Sequence, residues 1–368
     1  MAKKRKTLPK DFEELLHQSD IDSLKAVFDS CDINARGGVF KQTALAFNEC
    51  PDELARWLLA NGADIEAGDS YGDPPLCSRA GHYRGRLEIL LELGANVNAG
   101  AGGRGTALHY AADVGHCENV KLLIANGANP EAPNKYDQTP LEYALQRCSN
   151  LKIAGIAEVA GVLFEPKPAA SKSFISRMFG SKKGQEPEKL KNLKDYVTRI
   201  GTDFEFHRAG FNPELLEEAA AGLEKLYALF DVPPVARRIM HDGRAPIEAK
   251  AGNWQDQHQE LWELLIPSNG AADTVQGEVI RISGRIADEL DRNGAVNWNA
   301  DYKKMANAFL FHVATGNSLT AALLDETANL IQQIQKRQGD TERLCEIAVQ
   351  WVKLNPIPLK LPAPDYKR

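Results

Sequence analysis

This sequence is short of most features that announce a chemistry. Its 368 residues hold no apolar run near the ~18 needed to cross a bilayer, so no stable membrane insertion is expected. The six cysteines, Cys31, Cys50, Cys77, Cys117, Cys148 and Cys345, include no CxxC pair and no zinc-ligand spacing. They read as reduced, mostly buried thiols of a cytoplasmic protein. A Gly-rich phosphate loop of Walker type, a GxSxG elbow and an HExxH helix are all missing. The GxG fragments between Gly100 and Gly105 do not lie between a strand and a long helix, which excludes a dinucleotide site. Charge of one sign is also lacking: 44 Lys and Arg stand against 50 Asp and Glu, a net of -6, so nucleic acid is not an expected partner. The opening MAKKRKTLPK is charged but leads into no apolar stretch, so it is not read as a secretory signal. Residues 1–6 are expected to be a disordered basic tip. No cofactor and no metal site are expected, and the chain is read as not an enzyme.

What is present is periodic. Hydrophobic residues make up 43% of the chain, ample for about two domains. In Thr106–Pro130, Thr106-Ala107-Leu108-His109 opens a short helix and Gly115-His116 breaks it. Val120, Leu122, Leu123 and Ile124 form the apolar side of a second helix, and Gly127-Ala128-Asn129 closes the unit. Related units run through Thr43-Ala44-Leu45, Pro74-Pro75-Leu76 and Thr139-Pro140-Leu141. Their closing glycines, Gly62, Gly94 and Gly127, are 32 and 33 residues apart. A closing glycine suits the left-handed residue that ends a helix. This pattern strongly resembles the ankyrin-repeat family, whose helix–turn–helix unit has about 33 residues. The resemblance covers residues 7–164 and implies a stack of helix pairs. It also implies that His109 hydrogen-bonds backbone between repeats.

The expected fold class is all-α, an ankyrin-repeat solenoid followed by a separate helical domain. Residues 8–36 read as a degenerate first repeat with a polar outer face, as a solenoid end requires. The first full repeat is short, with 17 residues from Leu45 to Gly62 against 19 from Leu108 to Gly127. The next has an odd inter-helix segment, Gly81-His82-Tyr83-Arg84-Gly85-Arg86. Prolines and small residues after Glu165 mark a linker over 165–187, in which a short apolar cluster, Phe174–Phe179, sits among lysines and is read as folding back or docking. An all-helical domain is expected over 188–356 and an extended tail over 357–368. Asp273 and Ser318 read as helix caps. Glu278, Glu289 and Asp291, interleaved with Arg281, Arg285 and Arg292, read as a solvated, salt-bridged face. Trp254, His258 and Trp262 share a helix face and read as core with a satisfied imidazole. Residues 254–315 resemble a small uncharacterised bacterial helical domain, which brings no function with it.

Stacked repeats bury their faces against neighbours and leave an extended concave surface. The turns between units should carry Tyr71 and Asp73, then Arg104, then Tyr136 and Gln138 along one edge. The first helices should add Asp113, Gln146 and Arg147. Tyr and Arg are enriched at interface hot spots, so these eight residues are the expected partner-binding set. The expected function is non-catalytic protein binding. By analogy with bacterial ankyrin proteins, the narrower form is an immunity-type inhibitor of a cognate toxin. Two alternatives stand: a cytosolic scaffold, or an unrecognised hydrolase or nuclease in the helical half. For the last, Asp242 followed by Glu248-Ala249-Lys250 echoes a metal-dependent nuclease pattern, but without the flanking strands. The sequence leaves the partner's identity and the oligomeric state open.

Overall fold

The computed structural model describes residues 4–100, 104–164 and 188–366. Gly102, Gly103 and the linker 165–187, with its apolar cluster, lie outside the described residues. The chain forms two compact units, Met1–Phe204 with Phe211–Val235, and Glu205–Gly210 with Ala236–Arg368.

The first unit opens with β1 (Arg5–Thr7), α1 (Phe12–Gln18) and α2 (Ile21–Ser30), followed by β2 (Cys31–Gly37) and β3 (Gln42–Thr43). β1 pairs parallel to β2, which pairs antiparallel to β3, so a small three-stranded sheet accompanies the helices. The expectation of a disordered tip is corrected for residues 4–6. Lys4 Nζ donates to Phe28 O at 2.6 Å and Arg5 Nη2 to Ser30 Oγ at 3.0 Å. By pairing with β2, the arm covers an edge whose backbone groups a strand would otherwise leave open. Phe12, Leu16, Leu24 and Phe28 are buried in the helix pair, and Asp20 caps α2 by accepting from Ser23 N at 2.8 Å.

The repeats follow as α3 (Asp52–Ala60), α4 (Pro75–Ala80), α5 (Glu88–Glu92), α6 (Ala107–Asp113), α7 (Cys117–Ala125), α8 (Pro140–Gln146) and α9 (Ile153–Phe164). The shortfall in the first full repeat has a local cause: its first helix is reduced to a 3-10 turn, Ala44–Ala46. First helices stack on one another, α4 on α6 and α6 on α8. Gly62, Gly94 and Gly127 have φ of +90°, +87° and +87°, values at which a Cβ is strained. A ladder of loop contacts repeats with the units. Asn34 Oδ1 accepts from Asp64 N at 2.8 Å, Glu66 Oε1 from Asn96 N at 2.7 Å, and Asn98 Oδ1 from Asn129 N at 2.8 Å. The irregular segment Gly81–Arg86 is pinned from both sides. Buried Arg79 donates to Leu45 O and Arg86 O, Asn119 Nδ2 donates to Gly85 O, and Arg86 N donates to Asn48 Oδ1.

Helices α10 (Glu188–His207) and α11 (Pro213–Phe230) complete this unit. They were expected in the second domain, and the structure moves the boundary to Val235, with α10 counted here through Phe204. Their Leu193, Val197, Ile200, Phe204, Leu223, Leu226 and Phe230 share a core with Leu145, Ile153, Ile156 and Ala160. The physical reason is α9, whose Ile153, Ile156, Ala157, Val159 and Ala160 are all buried. An apolar last helix in a solenoid needs a cover. The approach is close: a Cβ at Gly222 would lie 2.7 Å from the Ala154 backbone.

The second unit contains α12 (Trp254–Leu265), α13 (Val275–Ala287) running into a π turn at Asp288–Arg292, α14 (Ala300–Val313), α15 (Ala321–Gln335) and α16 (Thr341–Leu354). Thr274 and Thr320 cap α13 and α15, one and two residues beyond the expected caps. Helix α13 is central and packs against α12, α14 and α16. The reading of its charges as solvated holds for Asp291 and Arg292, which are exposed, and is corrected for Glu278, Arg281 and Glu289. Glu278 and Arg281 are 0% exposed and form a two-bonded ion pair, and Glu289 is buried too. The final segment runs across the unit. Val275 N donates to Leu359 O and Leu361 N to Asp273 O, and the Tyr366 hydroxyl donates to Glu278 Oε1 at 2.7 Å. His258 Nε2 lies 2.9 Å from Ser283 Oγ, and the ring stacks on Trp262.

Candidate functional site

Two of the turns between repeats are shaped by one acid or amide each. Asp69 Oδ1 accepts from Tyr71 N at 2.7 Å and Asp73 N at 3.1 Å. Two units on, Asn134 Oδ1 accepts from Tyr136 N at 2.8 Å and Gln138 N at 3.1 Å. Each bond pair closes the loop and leaves the tyrosine outside it, so Tyr71 and Tyr136 are 62% and 64% exposed. The helices after Arg104 and after the Tyr136 turn, α6 and α8, are capped by Thr106 and Thr139, which form capping boxes with His109 and Glu142. Thr106 N donates to His109 Nδ1, so the Nε2 hydrogen is left to donate to Gln138 O at 3.0 Å. Burial holds this imidazole below its ordinary pKa, in keeping with a neutral, structural ring.

A groove of about 830 Å³ is lined by Tyr71, Asp73, Arg104, Lys135, Tyr136, Gln138, Tyr143, Gln146 and Arg147. Seven of the eight residues singled out from the sequence are among these. The eighth, Asp113, borders the groove through Arg147, whose Nε is 3.2 Å from its Oδ1. Lys152 Nζ also reaches Asp113, at the backbone oxygen, 2.8 Å away. Gln138 Nε2 donates to Gln146 Oε1 at 2.7 Å, tying a turn to a first helix. Three cations lie over three tyrosine rings, Arg104 over Tyr110 at 5.4 Å, Lys135 over Tyr136 at 4.8 Å and Arg147 over Tyr143 at 5.2 Å. A stacked guanidinium keeps its donor edge free for a partner.

Asp73 differs from the others. It is only 5% exposed and forms the floor of the groove, where the Tyr110 hydroxyl donates to its Oδ2. Its Oδ1 is buried without a hydrogen-bond partner among the described residues. Burial pushes this carboxyl above its ordinary pKa, against the lowering effect of Tyr110. A second cavity, about 400 Å³, adjoins the groove and shares Tyr71, Asp73 and Arg104 with it. Phe40, Phe47, Glu13 and Glu49 are on its other walls.

Tyr110, Tyr143 and Phe40 were missed in the sequence. The first two sit two residues after the Leu of their first helices, a register that puts Tyr143 in the groove wall and Tyr110 in the wall of the second cavity, and that spacing could have found them. Phe40 belongs to the β2–β3 hairpin, which the repeat pattern does not contain. The Asp242 pattern brings nothing together: Asp242 Oδ1 accepts from Arg244 N and Ala245 N in a local turn, and exposed Glu248 and Lys250 are 3.9 Å apart. All six cysteines are free. Burial raises the thiols of Cys50, Cys148 and Cys345, to about 11, about 12 and about 12. Among the described residues no helix is long and apolar enough to cross a membrane.

Residues 90–144 match a family model described as ankyrin repeats in many copies. The chain is 45% identical over 97 residues to a protein of Arabidopsis thaliana named putative E3 ubiquitin-protein ligase XBAT35. The match covers 25% of this chain and 21% of that protein. It is 32% identical over 131 residues to the B-cell lymphoma 3 protein homolog of Mus musculus, covering 35% and 29%. It is 34% identical over 96 residues to ankyrin repeat protein OPG189 of Variola virus, covering 25% and 17%. The chain thus spans under a third of the length of each of these relatives. The matches lie in the repeat region. They give no support to a bacterial source, to toxin immunity or to the bacterial resemblance of residues 254–315. They also correct the reading of the chain as a non-enzyme, because XBAT35 and further relatives are named as ubiquitin-protein ligases. Missing catalytic motifs are therefore no ground for denying the chain a catalytic role.

Proposed function

Because this chain is an ankyrin-repeat protein, we propose that its repeats hold a protein partner along the groove from Tyr71 to Arg147. The observation that carries this reading is that one groove brings together two exposed tyrosine tips, Tyr71 and Tyr136, two cation–tyrosine stacks, Lys135 on Tyr136 and Arg147 on Tyr143, and the cation of a third, Arg104. Such side chains contribute large contact areas at low entropic cost and keep hydrogen-bonding edges free. Asp113, Gln138 and Gln146 support the wall by fixing Arg147 and the Tyr136 turn.

The relatives named as ubiquitin-protein ligases favour a second layer to this reading, in which the held protein is delivered for modification. Toxin inhibition is the narrowest form of partner binding; only the mild acidity of the chain speaks for it, and the proposal stays with a protein partner. A photo-crosslinking residue at position 136 tests the reading in native lysate, with one at Lys121, outside the groove, as control. The expected result is a discrete crosslinked protein at 136 alone, lost on Arg104→Ala with Arg147→Ala. Equal yields at both positions would move the binding surface elsewhere.

A further inference from the structure

The two cavities that meet at Asp73 have opposite character. On the Tyr136 side the groove holds Arg104, Lys135 and Arg147 against the single carboxylate of Asp73. On the Phe40 side the cavity holds Glu13, Glu49, Asp69 and Asp73 against Arg104. Its aromatic wall is partly open to solvent: Phe40 is 48% exposed, Tyr71 is 62% exposed, and their ring centroids are 6.2 Å apart at 54°. An acidic cluster alone would be a solvated face. Here a second observation stands with it. Asp73, which lines the cavity, is 5% exposed, yet among the described residues its Oδ1 has no hydrogen-bond partner. A buried carboxylate oxygen left unpaired costs free energy that an incoming donor would recover.

We infer that the Phe40–Tyr71–Asp73 cavity takes an arginine side chain from an extended segment of the partner. Its chemistry meets each feature of the site. A guanidinium is planar and weakly hydrated, stacks on aromatic faces and presents several donors to carboxylates. The cavity, at about 400 Å³, has room for it. Glu13 and Glu49 supply long-range attraction at the rim, and Asp73 supplies the buried acceptor. Beyond Asp73 the excess charge changes sign, so the same segment carries acidic residues toward Arg104, Lys135 and Arg147. The groove thereby reads polarity as well as composition. This inference rests on the groove being the partner site.

The test selects displayed random peptides on the full chain and measures the winners as synthetic labelled peptides by fluorescence anisotropy. Asp73→Asn, Phe40→Ala and Tyr136→Ala variants are used, each first shown to unfold at the wild-type temperature. Winners should share a basic residue, and its replacement by Ala, or use of Asp73→Asn or Phe40→Ala, should weaken binding by about tenfold or more. Winners without a basic residue, or basic winners that bind Asp73→Asn and Phe40→Ala as well as wild type, overturn the inference. If those winners still lose affinity on Tyr136→Ala, the groove remains the partner site. Winners indifferent to all three substitutions sink both readings, and recovery of no binder counts against the arginine site.

Discussion

Replacing Arg281 by Met should destabilise the C-terminal unit by about 3–5 kcal/mol near neutral pH, the scale for removing one partner of a buried ion pair. In the native unit Arg281 Nε donates to Glu278 Oε2 at 2.8 Å and Nη2 to Oε1 at 2.6 Å, with both side chains 0% exposed. The variant keeps two donors to Glu278, the Ala272 N–H and the Tyr366 hydroxyl, but removes the neighbouring opposite charge. Urea unfolding followed by tryptophan fluorescence suits the question, because Trp254, Trp262, Trp298 and Trp351 belong to this unit and only Trp57 to the other. With a slope of about 2–3 kcal/mol/M, the midpoint should fall by about 1–2.5 M. Adding Glu278→Met should cost less than the two single changes summed, with a coupling of about 1–3 kcal/mol. Acid gives a second signature. Burial alone would raise the Glu278 carboxyl, but the bonds and charge of Arg281, with Tyr366 and Ala272, outweigh it and hold the pKa low. Wild-type stabilisation from this group is present above the ordinary value of 4.5 and lost as pH falls through the lowered one. In Arg281→Met burial prevails and the carboxyl takes up a proton, so the deficit against wild type should shrink on acidification. Additive costs, or a deficit that does not change with pH, would refute the reasoning.

Gly127→Ala places a Cβ at φ of +87° and should cost the repeat unit about 1–2 kcal/mol, a fall of about 3–6 °C in its calorimetric transition. Tyr110→Phe removes the hydroxyl that donates to Asp73 and should cost about 1–3 kcal/mol at pH 7. Because the Asp73 pKa is raised in the folded chain, its penalty is present above the unfolded value and relieved as pH falls, so that loss should be smaller at pH 4 by thermal unfolding. Tyr366→Phe leaves Glu278 one donor short and should lower the urea midpoint of the tryptophan signal by an amount equivalent to about 1–2 kcal/mol.

The repeats were legible because their signals are local: a threonine at a helix start, a glycine where φ must be positive, and apolar residues at helical spacing between them. The register of the turn tips follows from the same landmarks, which is how the sequence assigns Tyr71, Arg104 and Tyr136 to one edge. Long-range burial was not legible. Glu278 and Arg281, three residues apart, look the same whether the helix faces water or lies in a core, and only the packing of α13 among α12, α14 and α16 decides. Likewise, α10 and α11 carry ordinary amphipathic patterns, which do not say which of two cores they cover. The arm Arg5–Thr7 is too short for alternation to show, and its pairing with β2 depends on residues some thirty positions away. Phe40 escaped because a hairpin interrupts the repeat there.

The lid that α10 and α11 place on α9 fixes where this array can grow. A further helix pair appended after Phe164 would find no apolar face waiting, because that face is already occupied by Leu193, Val197, Leu223 and Leu226. Any widening of the groove must therefore come from duplication within the row or from longer tips, with the two ends left as they are.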